Sequence, residues 1–390
     1  MTPGQTARAG GLLVAALGWL GTTASAQRGP TQSLVWPAAP DRARVRYVGS
    51  WSSTADLGIR ESFLSRLGRS LTGSPGKSVL RVQRPFDVAQ GADGTVFVTD
   101  AVNPWVLVFD PGKKEVRKLG PGSTPGLAKP TGIAVDPDGN LYVADAVRKA
   151  VFVFHLDGTL ARILDGDRTF RNPQDVAVDA AAGRIYVVDS YLHQVVVLDP
   201  RGAVLERWGK TTRSGAPKLE AQVSAAQGDN EVTEGHPGAA ELVRRDVVTN
   251  RSRAPGEFNF PFAVAVGPDG RWYVTDQMNF RIQVFERNGT FVRSIGVPGD
   301  GPGTFARVKG VAVDRHNRVF VTDAAFSNVQ VFDAEGRLLM FFSSLGYGEG
   351  QLLQPLGITA TPQGDILVAD RYNRRIQVFR VLDDGTFREP

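Results

Sequence analysis

The sequence predicts an all-β chain, a six-bladed β-propeller of four-stranded blades in which an N-terminal strand closes the last blade. The first observation is a short pattern that occurs six times: an extended Ile/Val-Ala-Val run, a Gly-containing turn, a second run ending in Asp, and a third run opening six residues later. The Asp residues are Asp100, Asp145, Asp189, Asp276, Asp323 and Asp370, and the apolar residues six positions on are Val106, Val151, Val195, Ile282, Val329 and Ile376. The second is the period. The copies begin at Pro85, Pro130, Pro173, Pro261, Val308 and Pro355, spaced by 45, 43, 88, 47 and 47 residues. A period in the forties with several short strands per unit is that of a propeller. The third is composition: 44 Gly and 24 Pro in 390 residues suit a turn-rich β chain.

From the N-terminus, Arg8 is the only charge before the apolar stretch from Leu12 to Leu20, and Ala24-Ser25-Ala26 supplies a small-x-small cleavage site. Residues 1–26 thus read as a secretory signal peptide, with Gln27 opening the mature chain. The apolar run is too short to span a bilayer, so the expectation is a periplasmic or secreted protein with no membrane span after cleavage. With no Cys anywhere, disulfides, thiolate metal sites, Cys nucleophiles and a lipidated Cys are all excluded. Loss of Arg8 lowers the formal charge from +5 to +4, too weakly basic for a nucleic-acid binder.

Residues 27–42 read as a linker and 43–53 as the closing strand. The sixth copy runs out at the chain end, and Val45-Arg46-Tyr47-Val48-Gly49 matches the outer strand it lacks. Residues 54–82 form a connector in which Phe63, Leu64, Leu67 and Leu71 share one face of a predicted amphipathic helix. The propeller occupies 83–390, and the spacing of 88 contains an insertion at about 210–255 rather than a lost repeat. The strands on either side of it, Val204 to Trp208 and Phe262 to Val266, are both in place.

Within the copies, Val88, Val176, Val264 and Val311 are each followed by Ala, so large and small side chains project from opposite faces, as wedge-shaped blades require. Asp138-Gly139-Asn140 and Pro268-Asp269-Gly270 are the turn sequences of short hairpins.

Phe258-Asn259-Phe260-Pro261, Trp272 through Asp276 and Asn279-Phe280-Arg281-Ile282-Gln283-Val284-Phe285 together resemble the NHL repeat. So do Gln354-Pro355-Leu356-Gly357-Ile358, Val368-Ala369-Asp370 and Asn373 through Phe379, while the first three copies have degenerate Asn-Arg-Ile-Gln segments. The resemblance covers residues 83 to 380 or so. It implies a propeller, commonly of six blades, but not one function, because NHL propellers include enzymes, RNA binders, sensors and scaffolds. The whole-chain layout is also similar to exported bacterial NHL proteins found beside multihaem cytochromes. That likeness implies an exported protein partner, a multihaem cytochrome among the candidates, in an extracytoplasmic electron-transfer assembly.

The six Asp residues are expected to be structural, each accepting backbone N–H groups of the turn that follows it. Those turns leave the ring on one face with Trp105, Arg148, Tyr191, His193, Phe280, Arg281, Phe326, Arg371, Tyr372, Arg374 and Arg375, a candidate docking surface. Asp87 and Asp175 stand two residues into their copies, where other copies carry Gly132, Ala263, Gly310 and Gly357. Two carboxylates at a channel mouth are candidate ligands for Ca²⁺.

A similar NHL-propeller lyase that cleaves hydroxyglycine peptides holds zinc through His residues. Of His155, His193, His236 and His316, only His193 is expected on the turn face, and one His does not make a three-ligand zinc site. No Ser-His-Asp set, P-loop or dinucleotide fingerprint is present. The sequence therefore favours a non-enzymatic binding or scaffold module, monomeric on its own. The alternative is a metal-dependent hydrolase or lyase with Asp87 and Asp175 holding the ion.

Overall fold

The computed structural model describes residues 34–57, 80–120, 126–165, 168, 170–209 and 254–382. The signal peptide expected at 1–26, the helix expected over Arg60 to Thr72 and residues 210–253 of the expected insertion lie outside the described residues. Among the described residues no helix is long and apolar enough to cross a membrane.

Six antiparallel sheets make six blades. Their first strands are Pro85–Gln90, Pro130–Val135, Pro173–Asp179, Pro261–Val266, Val308–Val313 and Pro355–Ala360. Each packs against the first strand of the next blade, and the sixth packs against the first, so the ring closes. Blades one to five are four-stranded meanders in chain order. In the sixth, Asp365–Asp370 and Arg375–Val381 are followed outward by Val45–Trp51. The closing strand runs antiparallel to Arg375–Val381, with Val45 opposite Val381 and Trp51 opposite Ile376, and a bulge falls between Tyr47 and Gly49. A two-residue strand, Val35–Trp36, adds a fifth member that the repeat pattern did not suggest. Its Trp36 ring lies 6.0 Å from Phe342 and 5.8 Å from Phe379, so Trp36 packs into the seam between blades five and six.

Burial follows from position in the blade. Second and third strands such as Val96–Asp100 and Val106–Asp110 are buried throughout, since blades cover both of their faces. They are accordingly apolar on both faces. The outer strand Val204–Trp208 alternates with solvent. Six apolar clusters result, one in each seam between neighbouring blades. Large side chains such as Phe97, Tyr186, Trp272 and Phe320 are fully buried there. Each contributes about 1.5–3 kcal/mol by leaving water, so the ring holds through its seams without disulfides.

Candidate functional site

The second strand of each blade ends beside the start of the first, with Pro85 opposite Asp100 and Pro355 opposite Asp370. All six Asp side chains therefore stand on one face of the ring, and all are fully buried. Each ties the loop entering its own blade to the turn that follows it, in one of two ways. In blades one, two, three and five the donors are backbone N–H groups. Asp145, for example, accepts from Ala128 (2.6 Å), Lys129 (3.0 Å), Val147 (3.1 Å) and Arg148 (2.8 Å).

Blades four and six use side chains instead. Asp276 accepts from Asn259 N–H (2.6 Å), Asn279 Nδ2 (2.8 Å), Arg281 Nε (2.9 Å) and Gln283 Nε2 (3.1 Å). Asp370 accepts from Leu353 N–H (2.7 Å), Asn373 Nδ2 (2.8 Å), Arg375 Nε (2.9 Å) and Gln377 Nε2 (2.9 Å). The Asn-x-Arg-Ile-Gln segment is thus a donor set for the preceding Asp. Burial pushes the carboxyls of Asp189, Asp276 and Asp370 up from their ordinary value, and these donors offset part of that rise.

This donor role binds part of the docking surface expected from the sequence into the fold. Arg281 is buried, and it also donates to the carbonyls of Ala254 (3.1 Å) and Glu257 (3.0 Å). Arg375 bonds the carbonyls of Gly348 and Gln351 in the same manner, and Phe280 is buried against its blade. His193 accepts the Phe260 N–H at Nδ1 (3.0 Å) and meets the Phe260 ring edge-on at 4.5 Å. These four are tied into the fold by these contacts, and His193 and Arg375 are half-buried. Trp105 and Phe326 are half-buried, the former under the Lys118 ammonium 3.6 Å from its ring. Arg148, Tyr191 and Arg374 are exposed, and Arg371 lies over the half-buried Tyr372 ring at 5.2 Å.

The fourth residue after the Asp takes a left-handed backbone in five of the six turns: Lys149 (φ 56°), His193 (55°), Phe280 (56°), Ser327 (52°) and Arg374 (56°). A non-Gly residue there carries a strain on the order of 1 kcal/mol. Arg374→Gly is therefore expected to raise stability by up to about 1 kcal/mol, which a urea titration measures directly.

The axis holds a channel of about 300 Å³ walled by the six first strands. Phe86 and Phe262 belong to the turn-face end of its lining. Phe86 of blade one and Phe262 of blade four, on opposite sides of the ring, stack across the axis at 5.6 Å. The buried ammonium of Lys309 sits 4.3 Å above the Phe262 ring and donates to Gln277 Oε1 at 2.9 Å, joining blades four and five. Similar staples join other seams at this level. Thr99 donates to the Thr131 carbonyl (2.5 Å), Ser190 to Pro261 (2.6 Å) and Thr322 to Leu356 (2.6 Å).

Next to Phe86 in the first strand, Asp87 packs against Gly357, and Asp175 packs against Gly132. All four carboxyl oxygens are engaged by backbone N–H groups. Asp87 accepts from Val88 (2.8 Å) and from Ile133 of blade two (3.0 Å). Asp175 accepts from Val176 (2.8 Å) and from Val264 of blade four (2.9 Å). The two carboxyls are near enough to influence each other's protonation. Burial pushes Asp87 up to about 7, offset in part by its backbone N–H bonds. Burial first, and then the Asp87 charge, hold Asp175 well above the carboxylate range. The pair therefore clamps neighbouring blades, and burial favours the protonated form of both carboxyls.

This arrangement does not fit the calcium ion suggested by the sequence. Ca²⁺ takes six to eight oxygen ligands, whereas these oxygens face backbone donors. Among the described residues no group of three His, Cys, Asp or Glu converges anywhere. Of the histidines, His155 ends a third strand, His316 accepts from Arg315 Nε in a hairpin on the opposite face, and His236 lies outside the described residues.

The comparisons with known proteins agree with this geometry. A family described as a 6-bladed beta-propeller matches residues 266–346, and the NHL repeat matches 127–154, 170–198 and 352–379. The second and third copies are matched despite their degenerate Asn-Arg-Ile-Gln segments. Peptidyl-glycine alpha-amidating monooxygenase A of Xenopus laevis is 28% identical over 129 residues, 32% of this chain and 10% of that protein. The chain thus spans about a tenth of the length of the curated relatives it matches. A gluconolactonase of Xanthomonas campestris is similar in structure, with a TM-score of 0.51 at 17% identity over 77% of this chain and 86% of that one. A Bacteroides thetaiotaomicron protein of unknown function gives 0.53 at 16% identity over 77% and 70%. At such identities the likeness is one of fold. With sheets, ring and repeats in agreement, the chain is a six-bladed β-propeller that contains NHL repeats.

Proposed function

We propose that this protein is a non-enzymatic binding propeller, exported from the cell, whose turn face docks another exported protein. The observation that supports this reading most is the crowded axial end. Phe86, Phe262 and Lys309 pack together there as a plug, and the turns around it make up much of that face. Around the plug, Arg148, Tyr191, Tyr372 and Arg374 stand on turns fixed by buried Asp residues. Arg and aromatic side chains on rigid loops are the usual anchors of protein interfaces. The partner surface is acidic, to match the Arg side chains. A multihaem cytochrome of an electron-transfer assembly is the specific partner suggested by the export layout.

The test is affinity capture from a periplasmic extract with the wild type, the triple variant Arg148→Ala/Tyr372→Ala/Arg374→Gly, and His316→Ala on the opposite face. A protein retained by the wild type and His316→Ala is expected to lose about tenfold or more of its retention on the triple variant. Absorbance of the retained fraction reports haem. Equal retention by all three chains removes the turn face from the interaction.

A further inference from the structure

The docking reading leaves the axial channel unused. Each first strand turns a free edge to that channel, because its other edge pairs with the second strand of its own blade. Alternation decides which backbone groups face the axis. The Asp87 N–H goes to Thr99 Oγ1 at 3.0 Å and the Gly310 N–H to Thr322 Oγ1 at 2.8 Å, both toward the second strand. The next residue along each strand therefore points its N–H and C=O the other way, to the channel. The six residues at that position are Val88, Ile133, Val176, Val264, Val311 and Ile358.

Four of these N–H groups meet a carboxyl. Asp87 serves Val88 in its own blade and Ile133 in the next, and Asp175 serves Val176 and Val264 in the same way. Each Asp is followed in the next blade by a small residue, Gly132 or Ala263. The pattern repeats every two blades and breaks in the last pair. Gly310 stands where a third Asp would be, and Gly357 is the small residue that follows it. Among the described residues no acceptor takes the N–H of Val311 or Ile358. The two lie on one seam, since a Cβ added to Gly310 would stand 3.1 Å from Ile358 N. Both residues are buried, and both line the channel of about 300 Å³. A buried N–H without an acceptor costs on the order of 1–3 kcal/mol, so the pair favours an acceptor small enough to enter the channel.

We propose that the channel binds a small carboxylic acid, with its oxygens on the N–H groups of Val311 and Ile358 as the Asp87 carboxyl sits on those of Val88 and Ile133. The ligand completes a ring of three carboxyls of which the chain supplies two. It binds as the neutral acid, taking its proton from solvent, and its O–H donates to a free-edge carbonyl of the same strands. Two causes favour that form. Burial acts on the ligand as it acts on Asp87 and Asp175, and those two are the titratable groups in the channel lining, so their ionisation at higher pH repels an anion. Lys309 packs on the Phe262 ring at that end, where burial favours its neutral amine. The site does not depend on the docking proposal, because it uses no residue of the variant that tests that surface.

Amide NMR of the full chain, isotope-labelled in Val and Ile, tests the proposal by titration with sodium acetate against sodium chloride at matched ionic strength. The Val311 and Ile358 amides are expected to shift saturably with acetate and not with chloride, with Kd on the order of 10 mM or tighter at about pH 5. The four amides held by Asp87 and Asp175 are expected to move much less. Affinity is expected to fall about tenfold or more by about pH 8, as the acid and the two Asp residues lose their protons. Gly310→Ala crowds Ile358 N and is expected to weaken binding about fivefold or more. If that variant does not fold, the comparison of the six amides within the wild type still decides. No saturable shift with acetate, equal shifts across all six amides, or equal affinity at the two pH values overturns the proposal.

Discussion

Gly357→Ala is expected to lower the stability of the propeller by about 3 kcal/mol or more, the upper range for overpacking a closed site. An added Cβ would stand 2.6 Å from the Cα of Asp87 and would overlap the Asp87 carboxyl. Asp87 has no room to retreat. Its N–H donates to Thr99 Oγ1 at 3.0 Å, and its carboxyl is held by Val88 and Ile133. Backbone meets backbone across the seam between blades six and one, so a rotamer change cannot relieve the contact. Gly49→Ala is the control, because its added Cβ meets nothing within 4 Å. Urea unfolding of the two variants should separate them clearly. A loss under about 1 kcal/mol for Gly357→Ala would mean that the blades can spread at the axis, and the ring would be looser than its staples imply.

Stability is expected to fall as pH rises from about 5 to 8, opposite to the common carboxylate pattern. The sign follows from Asp87 and Asp175. Their carboxyls are raised in the folded chain, Asp87 from 3.8 to about 7, so the folded state holds protons that the unfolded chain has released. This contribution is complete below the unfolded value near 4 and is lost as pH climbs through about 7. Asp189, Asp276 and Asp370 are shifted the same way by burial and add to the slope. For the axial pair the change is on the order of 3 kcal/mol. Urea midpoints at several pH values measure it. The double variant Asp87→Asn/Asp175→Asn should lose most of the decline even if its absolute stability drops, because one backbone N–H per amide loses its acceptor. An undiminished decline in the double variant would show that the pair is not its source.

The periodicity, the six Asp positions and the closing strand were legible because each is a local or repeating property. Strand alternation shows within six residues, and the unfilled outer position of the last copy calls for a matching segment such as Val45 to Gly49. The fate of the turn residues was not legible. Arg281, Arg374 and Arg375 look alike as letters. Yet Arg281 and Arg375 turn inward to buried carboxylates, and Arg374 points out from a left-handed backbone that no Gly announces. The Asn-x-Arg-Ile-Gln spacing was the available signal, since alternate strand positions put Arg and Gln on the face that the Asp occupies.

By itself the sequence determined the number of blades, the order of their strands and the face on which the conserved-spacing turns emerge, because these follow from chain distance and side-chain alternation. Only the tertiary structure decided what lies on the axis. Asp87 and Asp175 are 88 residues apart in sequence, and Phe86 and Phe262 farther still. Ring closure brings each pair together, and burial shifts the Asp87 and Asp175 carboxyls up and the Lys309 amine down only in the surroundings that closure creates.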